Sequence, residues 1–272
     1  MVTFLPTPIG NLQDITLNTL QTLQNCEVLL CEDTRVSKKL IKLLEQKELL
    51  KPREYEFLSF HTHNQNKFLF DVSLDFFNKN ICFLSDAGMP CVSDPGVELV
   101  RYLQKNKLPY QVLGGISAVT LAVAFSGIVE KEFCFLGFLP HKLLEKRQKL
   151  QEVLNYTMPS VIYESPHRLL QTLEILAELS ENREIFVAKE LTKKFQNTFK
   201  GSAKSVYNCL KKSEIKGEWV LVLAGAKNVD SKVLTESQVY SLEIPPKIKA
   251  KILAKMHDKK ASDFYNKIVE NG

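Results

Sequence analysis

The sequence predicts an α/β protein: two α/β domains and then a small helical module. Three observations predict it. Short β-type runs alternate with helical stretches through the first 113 residues. A second series of runs and helices starts after Gly114-Gly115 and continues to Leu223. In the first half, the polar and flexible residues gather in the loops that follow the strands, where an open parallel sheet binds its ligands.

Val2–Leu5, Glu27–Cys31, Glu56–Phe60, Ile81–Leu84 and Tyr110–Leu113 are short and rich in apolar residues, and read as strands. Between them Thr16–Gln24, Thr34–Leu44, Gln65–Asn78 and Asp94–Lys105 repeat Leu, Val and Phe at i, i+3, i+4, the spacing of a helix with one buried face. Alternation of this kind calls for a mostly parallel sheet covered on both faces. In the second series Ser117–Phe125 is a small-residue helix. Phe133–Phe138, Ser160–Tyr163, Glu184–Ala188, Phe195–Gly201 and Glu218–Leu223 read as strands, with helices at Pro166–Leu179 and Lys204–Lys211. Gly114-Gly115 is a natural hinge. The domains expected are therefore 1–113 and 114–226.

From Ala226 to Ser241 the apolar pattern fades, as in a linker. The module expected at 241–272 contains helices Pro246–His257 and Ala261–Val269. Their apolar faces are Ile248, Ile252, Leu253 and Met256, then Phe264, Tyr265, Ile268 and Val269. Seven lysines surround these faces, against three acids from Pro246 onward. They serve either solubility or contact with phosphates.

A length of 272 residues suffices for two cores. The net charge of +5 permits an anionic partner without demanding one. No apolar run approaches the ~20 residues of a membrane helix, and no basic segment precedes the apolar residues at the amino terminus, so no secretory signal is expected. The six cysteines lack C-x-x-C spacing and mostly lie in or beside apolar runs, which points to reduced core residues of a cytoplasmic protein and to no metal site. None of the 11 glycines forms G-x-G-x-x-G or a P-loop, so the sheet lacks the usual device for a pyrophosphate or triphosphate, which leaves room for a ligand without phosphate.

The strand-end loops hold the candidates. Asp86-Ala87-Gly88-Met89 follows the fourth strand; either it is an Asx turn, or Gly88 admits a ligand close to the backbone while Asp86 accepts from it. Asp94-Pro95-Gly96 reads as a helix start, with Asp94 the N-cap and Pro95 the first helical residue. His61 and His63, two apart, would point to opposite faces if the strand continues, which argues against a shared metal. Ser165-Pro166 reads as a cap with its first helical residue, beside Glu164 and Arg168. Lys189–Lys194 is a charged loop. His141, Lys142, Lys146, Arg147 and Lys149 form a basic segment, either a solvated helix face or a grip on phosphates.

Taken in order, "PTPIGNLQDIT" at Pro6–Thr16, "EDTR" at Glu32–Arg35, "SDAGMPCVSDPG" at Ser85–Gly96, "GFLP" at Gly137–Pro140, "YESPHR" at Tyr163–Arg168 and "KELTK" at Lys189–Lys193 resemble the ribosomal RNA small-subunit methyltransferase I family of the tetrapyrrole methylase superfamily. The fifth loop departs from that family's Pro-Gly-Pro-Ser-Ala, reading Gly114-Gly115-Ile116-Ser117-Ala118, and Met89 stands where threonine is common. The resemblance implies two α/β domains of the tetrapyrrole methylase type. It also implies S-adenosylmethionine in the cleft between them, a homodimer, and methylation of a cytidine 2′-hydroxyl in the 16S rRNA of the small ribosomal subunit. For the cofactor it carries over Pro8, Gly10, Asp86, Ala87, Gly88, Met89, Ser117 and Ala118, with Glu164 and Ser165 at the second strand end.

A ribose hydroxyl is a poor nucleophile while protonated, so transfer needs a base or cations that stabilise the developing alkoxide. Asp33, His61 and Glu164 are the candidate bases; Arg35, Arg168 and Lys193 are the candidate cations. Two rivals remain open: a methyltransferase of the same fold acting on a tetrapyrrole or other small molecule, and a non-catalytic RNA-binding ribosome assembly factor.

Overall fold

The computed structural model describes residues 1–226 and 236–270. The chain divides into two compact units, Met1–Lys227 and Asn228–Gly272. In the first unit, strand β1 (Val2–Leu5) leads through helix α1 (Leu17–Asn25) to β2 (Val28–Cys31), then α2 (Thr34–Gln46), β3 (Glu56–Ser59), α3 (Gln65–Asp71), β4 (Ile81–Leu84), α4 (Val97–Lys105) and β5 (Tyr110–Val112). The five strands pair in parallel in the order β3-β2-β4-β1-β5. Every side chain of β1, β2 and β4 is buried, which is why those runs are apolar without alternation except at Thr3. Leu5, Leu29 and Leu84 pack towards α1 and α2, whereas Phe4, Leu30 and Phe83 pack on the other face with α4.

The chain continues through α5 (Ala118–Ser126), β6 (Cys134–Phe138), α6 (Leu143–Val153), β7 (Ser160–Glu164), α7 (Pro166–Leu179), β8 (Glu184–Lys189), β9 (Asn197–Ser202), α8 (Ala203–Leu210) and β10 (Trp219–Leu223). The second sheet is mixed, in the order β6-β7-β10-β8-β9. Only β6 and β7 run parallel; β10 lies antiparallel to both its neighbours. One face packs on α6, α7 and α8. The other receives α5 together with Ile9, which comes from the loop after β1.

Several expectations need correction. The helix expected over Gln65–Asn78 breaks at Val72, and Leu74–Asn78 is a 3₁₀ turn. The break lets the Phe68 and Phe76 rings meet edge to face at 5.9 Å while Phe77 enters the core. Helix α4 starts at Val97, capped by Gly96, so Asp94 is not its N-cap. The basic segment after Pro140 is not a uniformly solvated face, because Lys146 on α6 is fully buried. Nor is every cysteine a core residue: Cys209 is exposed.

In the second unit, α9 (Glu236–Ser241), α10 (Pro246–His257) and α11 (Ala261–Glu270) gather Val239, Leu253, Phe264 and Ile268 into a small core. The linker expected over Ala226–Ser241 lies largely outside the described residues, and its end is helical. Ile248, Met256, Tyr265 and Val269, expected on the apolar faces, are exposed. Among the described residues, no helix is long and apolar enough to cross a membrane.

Candidate functional site

Beyond the carboxyl end of β4 the backbone enters left-handed conformations four times, at Gly88 (φ +83°), Cys91 (+68°), Ser93 (+65°) and Gly96 (+122°). Cys91 and Ser93 are not glycines, and such residues persist only where the surroundings hold them. What holds the loop is visible. Gly88 and Thr7 exchange two backbone hydrogen bonds, at 2.9 and 3.0 Å, clamping the loop after β4 to the loop after β1. The Thr7 hydroxyl also donates to Ser85 O at 3.2 Å. At Gly88 a side chain would be strained by its φ, and its Cβ would stand 3.3 Å from Ile9 Cγ2. At Gly96 a Cβ would press on Phe83 and Cys91 at 2.7 and 2.8 Å, so the sharp approach to α4 requires glycine.

The strained loop forms one wall of a cavity of about 310 Å³. Ala87, Gly88, Met89 and Asp94 come from that loop, and Ser117 and Ala118 from the start of α5. Glu164 and Ser165 at the end of β7, Leu191 after β8, and Trp219 and Val220 of β10 complete it. The lining is mostly apolar with a few polar groups, in the size range of small-molecule sites. Flat apolar cover from Met89, Leu191 and Val220, a backbone bared at Gly88 and a carboxyl at Asp94 suit a nucleoside joined to an amino acid. They offer no phosphate-binding loop.

Of the cofactor candidates, Ala87, Gly88, Met89, Ser117, Ala118, Glu164 and Ser165 line this cavity. Pro8, Gly10 and Asp86 do not. A Cβ at Gly10 would meet Lys193 Cγ at 2.3 Å, and Asn11 N donates to Thr192 Oγ1 at 3.1 Å. This loop therefore lies against the one after β8. Asp86 is tied to the loop after β2: its Oδ1 accepts from Asp33 N at 3.1 Å, and its own N–H donates to Glu32 Oε2 at 3.1 Å. Burial pushes both the Asp86 and Glu32 carboxyls up from their ordinary values.

The catalytic candidates are dispersed. Asp33 and Arg35 form a forked ion pair, with Nη2 at 2.6 Å from Oδ2. The Arg35 guanidinium holds the Asp33 carboxyl down at about 2, which makes it a weak proton acceptor. His61 Nδ1 accepts from His63 N at 3.2 Å, and the two rings pack edge to face at 5.9 Å. They do not diverge, because β3 ends at Ser59. No cluster of three His, Cys, Asp or Glu that could hold a metal exists among the described residues. Lys193 lies 3.0 Å from both Glu190 and Glu218.

Glu164 and Arg168 are engaged in structure. Glu164 is buried: its Oε2 accepts from Thr172 Oγ1 at 2.7 Å and lies 3.7 Å from Lys146 Nζ, while its Oε1 accepts from Ser165 N at 3.0 Å. Arg168 Nε stands 3.2 Å from Oε1 without hydrogen-bond alignment, and its Nη2 donates to Leu139 O and Pro140 O. Burial pulls Lys146 down from its ordinary value, with the Glu164 charge opposing. The result is a buried network that joins α6, β7 and α7 and leaves Arg168 Nε as its one unpartnered atom among the described residues.

Asp94, which the sequence presents as a helix cap, lines the cavity instead. Among the described residues three carboxylates line the cavity: Asp94, Glu164 and Glu218. Glu164 is saturated and Glu218 is paired with Lys193. Asp94 has no ion-pair partner among the described residues. Burial first, and then the charge of Glu32, push its carboxyl up to about 7, with the Ser85 hydroxyl pulling the other way. A small clue was legible. A helix whose first turn began at Pro95 would place Gly96, the poorest ordinary helix former, at its second position.

The family model for Tetrapyrrole (Corrin/Porphyrin) Methylases matches residues 1–207. The chain belongs to the tetrapyrrole methylase family. Among curated relatives, the Ribosomal RNA small subunit methyltransferase I of Helicobacter pylori (strain J99 / ATCC 700824) is 46% identical, over 97% of this chain and 96% of its own. That of Campylobacter fetus subsp. fetus is 44% identical, over 99% and 100%. Similar solved folds include a cobalt precorrin-4 methyltransferase of cobalamin biosynthesis, with TM-score 0.61 and 16% identity over 82% of this chain and 94% of that one. Another is the uroporphyrin-III C-methyltransferase of Thermus thermophilus in complex with S-adenyl homocysteine, with TM-score 0.58 and 16% identity over 82% and 96%. This tetrapyrrole methylase is thus a methyltransferase, and its cavity lies between the two sheets.

Proposed function

We propose that this methylase transfers a methyl group from S-adenosylmethionine to the 2′-hydroxyl of a cytidine in 16S rRNA of the small ribosomal subunit. The observation that carries this reading is a cavity without phosphate-binding features in a chain 46% identical, nearly end to end, to a ribosomal RNA small subunit methyltransferase I. When bound, S-adenosylmethionine supplies an electrophilic methyl group on a positively charged sulfur. Gly88 and Met89 bound one side of its site and Ser117, Ala118 and Val220 the other. Asp94 is the group that takes the ribose proton: it is the one cavity carboxylate without a competing cation, and near neutral pH it passes between its two protonation states. Asp33, His61 and Glu164 are the less favoured bases. Arg35, Arg168 and Lys193 act, if at all, from outside the cavity. Val112 on edge strand β5 is an exposed apolar residue, which supports a homodimer. A cytoplasmic location follows from the ribosomal substrate.

The deciding experiment incubates the protein and labelled S-adenosylmethionine with 30S particles from a strain that lacks it, then maps the label. Label at a single cytidine ribose supports the reading. Label on a base, on protein, or nowhere in 16S rRNA overturns it.

A further inference from the structure

One row of paired residues crosses most of the second sheet at the cavity's edge: Glu164 on β7, Trp219 on β10, Lys189 on β8 and Asn197 on β9. At ~4.8 Å between strands the row extends roughly 14 Å. The cavity lies over its first two members. Trp219 also lines a second, open depression of about 430 Å³, together with Lys189, Lys194, Phe195 and Phe199. The two hollows therefore share a wall one side chain thick.

The second hollow has unusual chemistry. Phe195 is 70% exposed, which nothing in the fold of this chain requires. Lys194 Nζ stands 5.7 Å from the centroid of its ring, and Lys189 Nζ stands 5.7 Å from that of Trp219, which stacks on Phe199 at 6.3 Å and 28°. Among the described residues neither lysine has an ion-pair partner, whereas Glu214, the one carboxylate in the lining, is paired with Lys216. Lys189 acts at longer range on Glu190 and Glu214, but neither lysine is closely paired, and two such cations beside an exposed ring match a single nucleic-acid strand, which offers a π-face on every base and an anion on every phosphate. An apolar protein surface would meet the ring equally well but would leave the lysines without counter-charges.

We propose that this groove holds a nucleotide flanking the methylated one, its base stacked on Phe195 and its phosphate between Lys189 and Lys194. The proposal rests on the reading that RNA is the substrate. Through the Trp219 wall, the groove sets the direction in which the strand leaves the cavity.

The test uses the full chain and its Phe195→Ala, Phe195→Trp and Lys194→Glu variants. With 30S particles lacking the modification, Phe195→Ala should raise KM about ten-fold and leave kcat and the calorimetric affinity for S-adenosylmethionine unchanged. Phe195→Trp should restore KM. Lys194→Glu should lower the salt slope of particle binding by about one. Binding is also read without methyl transfer, by anisotropy of a labelled single-stranded RNA of roughly 12 nucleotides. If the parent methylates no 16S rRNA yet Phe195→Ala weakens this RNA, the groove stands and the proposed function falls. An unchanged KM and anisotropy in Phe195→Ala would overturn the groove. So would sedimentation showing that Phe195→Ala separates two copies of the chain, which makes the patch a subunit contact.

Discussion

Asp94 and Glu164 face one cavity from different sheets, and they are opposite kinds of carboxylate. Glu164 stands at the end of a strand and has a donor on nearly every side: Thr172, Lys146 and its neighbour's N–H. Asp94 stands in a loop full of left-handed backbone, has no ion pair among the described residues, and is pushed up to about 7 by burial. A saturated carboxylate holds structure, and a starved one is available for chemistry. The difference lies in the partners, not in the residue type.

The largest break in this comparison comes from Glu164→Ala. It removes the charge that compensates the fully buried Lys146, and stripping one partner from a buried pair costs about 3–5 kcal/mol. Chemical denaturation should show that loss, and Lys146→Met in the same background should recover part of it. A cost below about 1 kcal/mol would mean that Glu164 is not structural.

Asp94→Asn should do the reverse, reducing methyl transfer roughly 10²–10⁴-fold while the protein stays folded. The sign of its pH effect is fixed. Between the ordinary 3.8 and about 7, folded Asp94 keeps a proton that the unfolded chain has lost, so this group makes the parent less stable as pH rises through that window. Asparagine abolishes the slope. The variant should gain on the parent by about 1–2 kcal/mol at pH 8, after allowance for partial exposure, and by nothing near pH 4. Thermal melts across pH check this; a variant that loses ground towards pH 8 would contradict the assignment.

A smaller effect sharpens the contrast between side-chain and backbone support. Gly88→Val places a β-branched residue at φ +83° against Ile9. Strain of about 1–2 kcal/mol should loosen the Thr7–Gly88 clamp and abolish calorimetric binding of S-adenosylmethionine while the Glu164 network persists. Binding equal to the parent's would reduce Gly88 to an ordinary turn residue.

The sequence exposed the strands well because burial on both faces leaves little polar interruption, Thr3 being the exception: Val2–Leu5 and Ile81–Leu84 are legible to the residue. It hid whatever depends on distant partners. Lys146 reads as solvated in a run of basic residues, and nothing within a helical turn shows that Glu164 and Gln171 await it across α7. Asp94-Pro95 satisfies a local capping rule, yet the tertiary clamp at Thr7 and Gly88 carries the chain past that start. Met89 and Ala118 are legible only through the motifs that contain them, since neither carries chemistry that periodicity could reveal.

The position of β10 has a consequence for how the molecule is made. The first sheet is complete once Val112 has been synthesised, because all its strands lie upstream. The second sheet cannot close in the same way. Its central strand is the last one, and until Trp219–Leu223 leaves the ribosome, β7 and β8 have no neighbour between them. Non-local pairing of this kind is slow, and domains tend to fold as units during synthesis. The nascent chain therefore carries a finished amino-terminal sheet beside two unjoined strand pairs. Trp219 and Val220 arrive with β10, so the cavity gains its floor only when the second sheet closes.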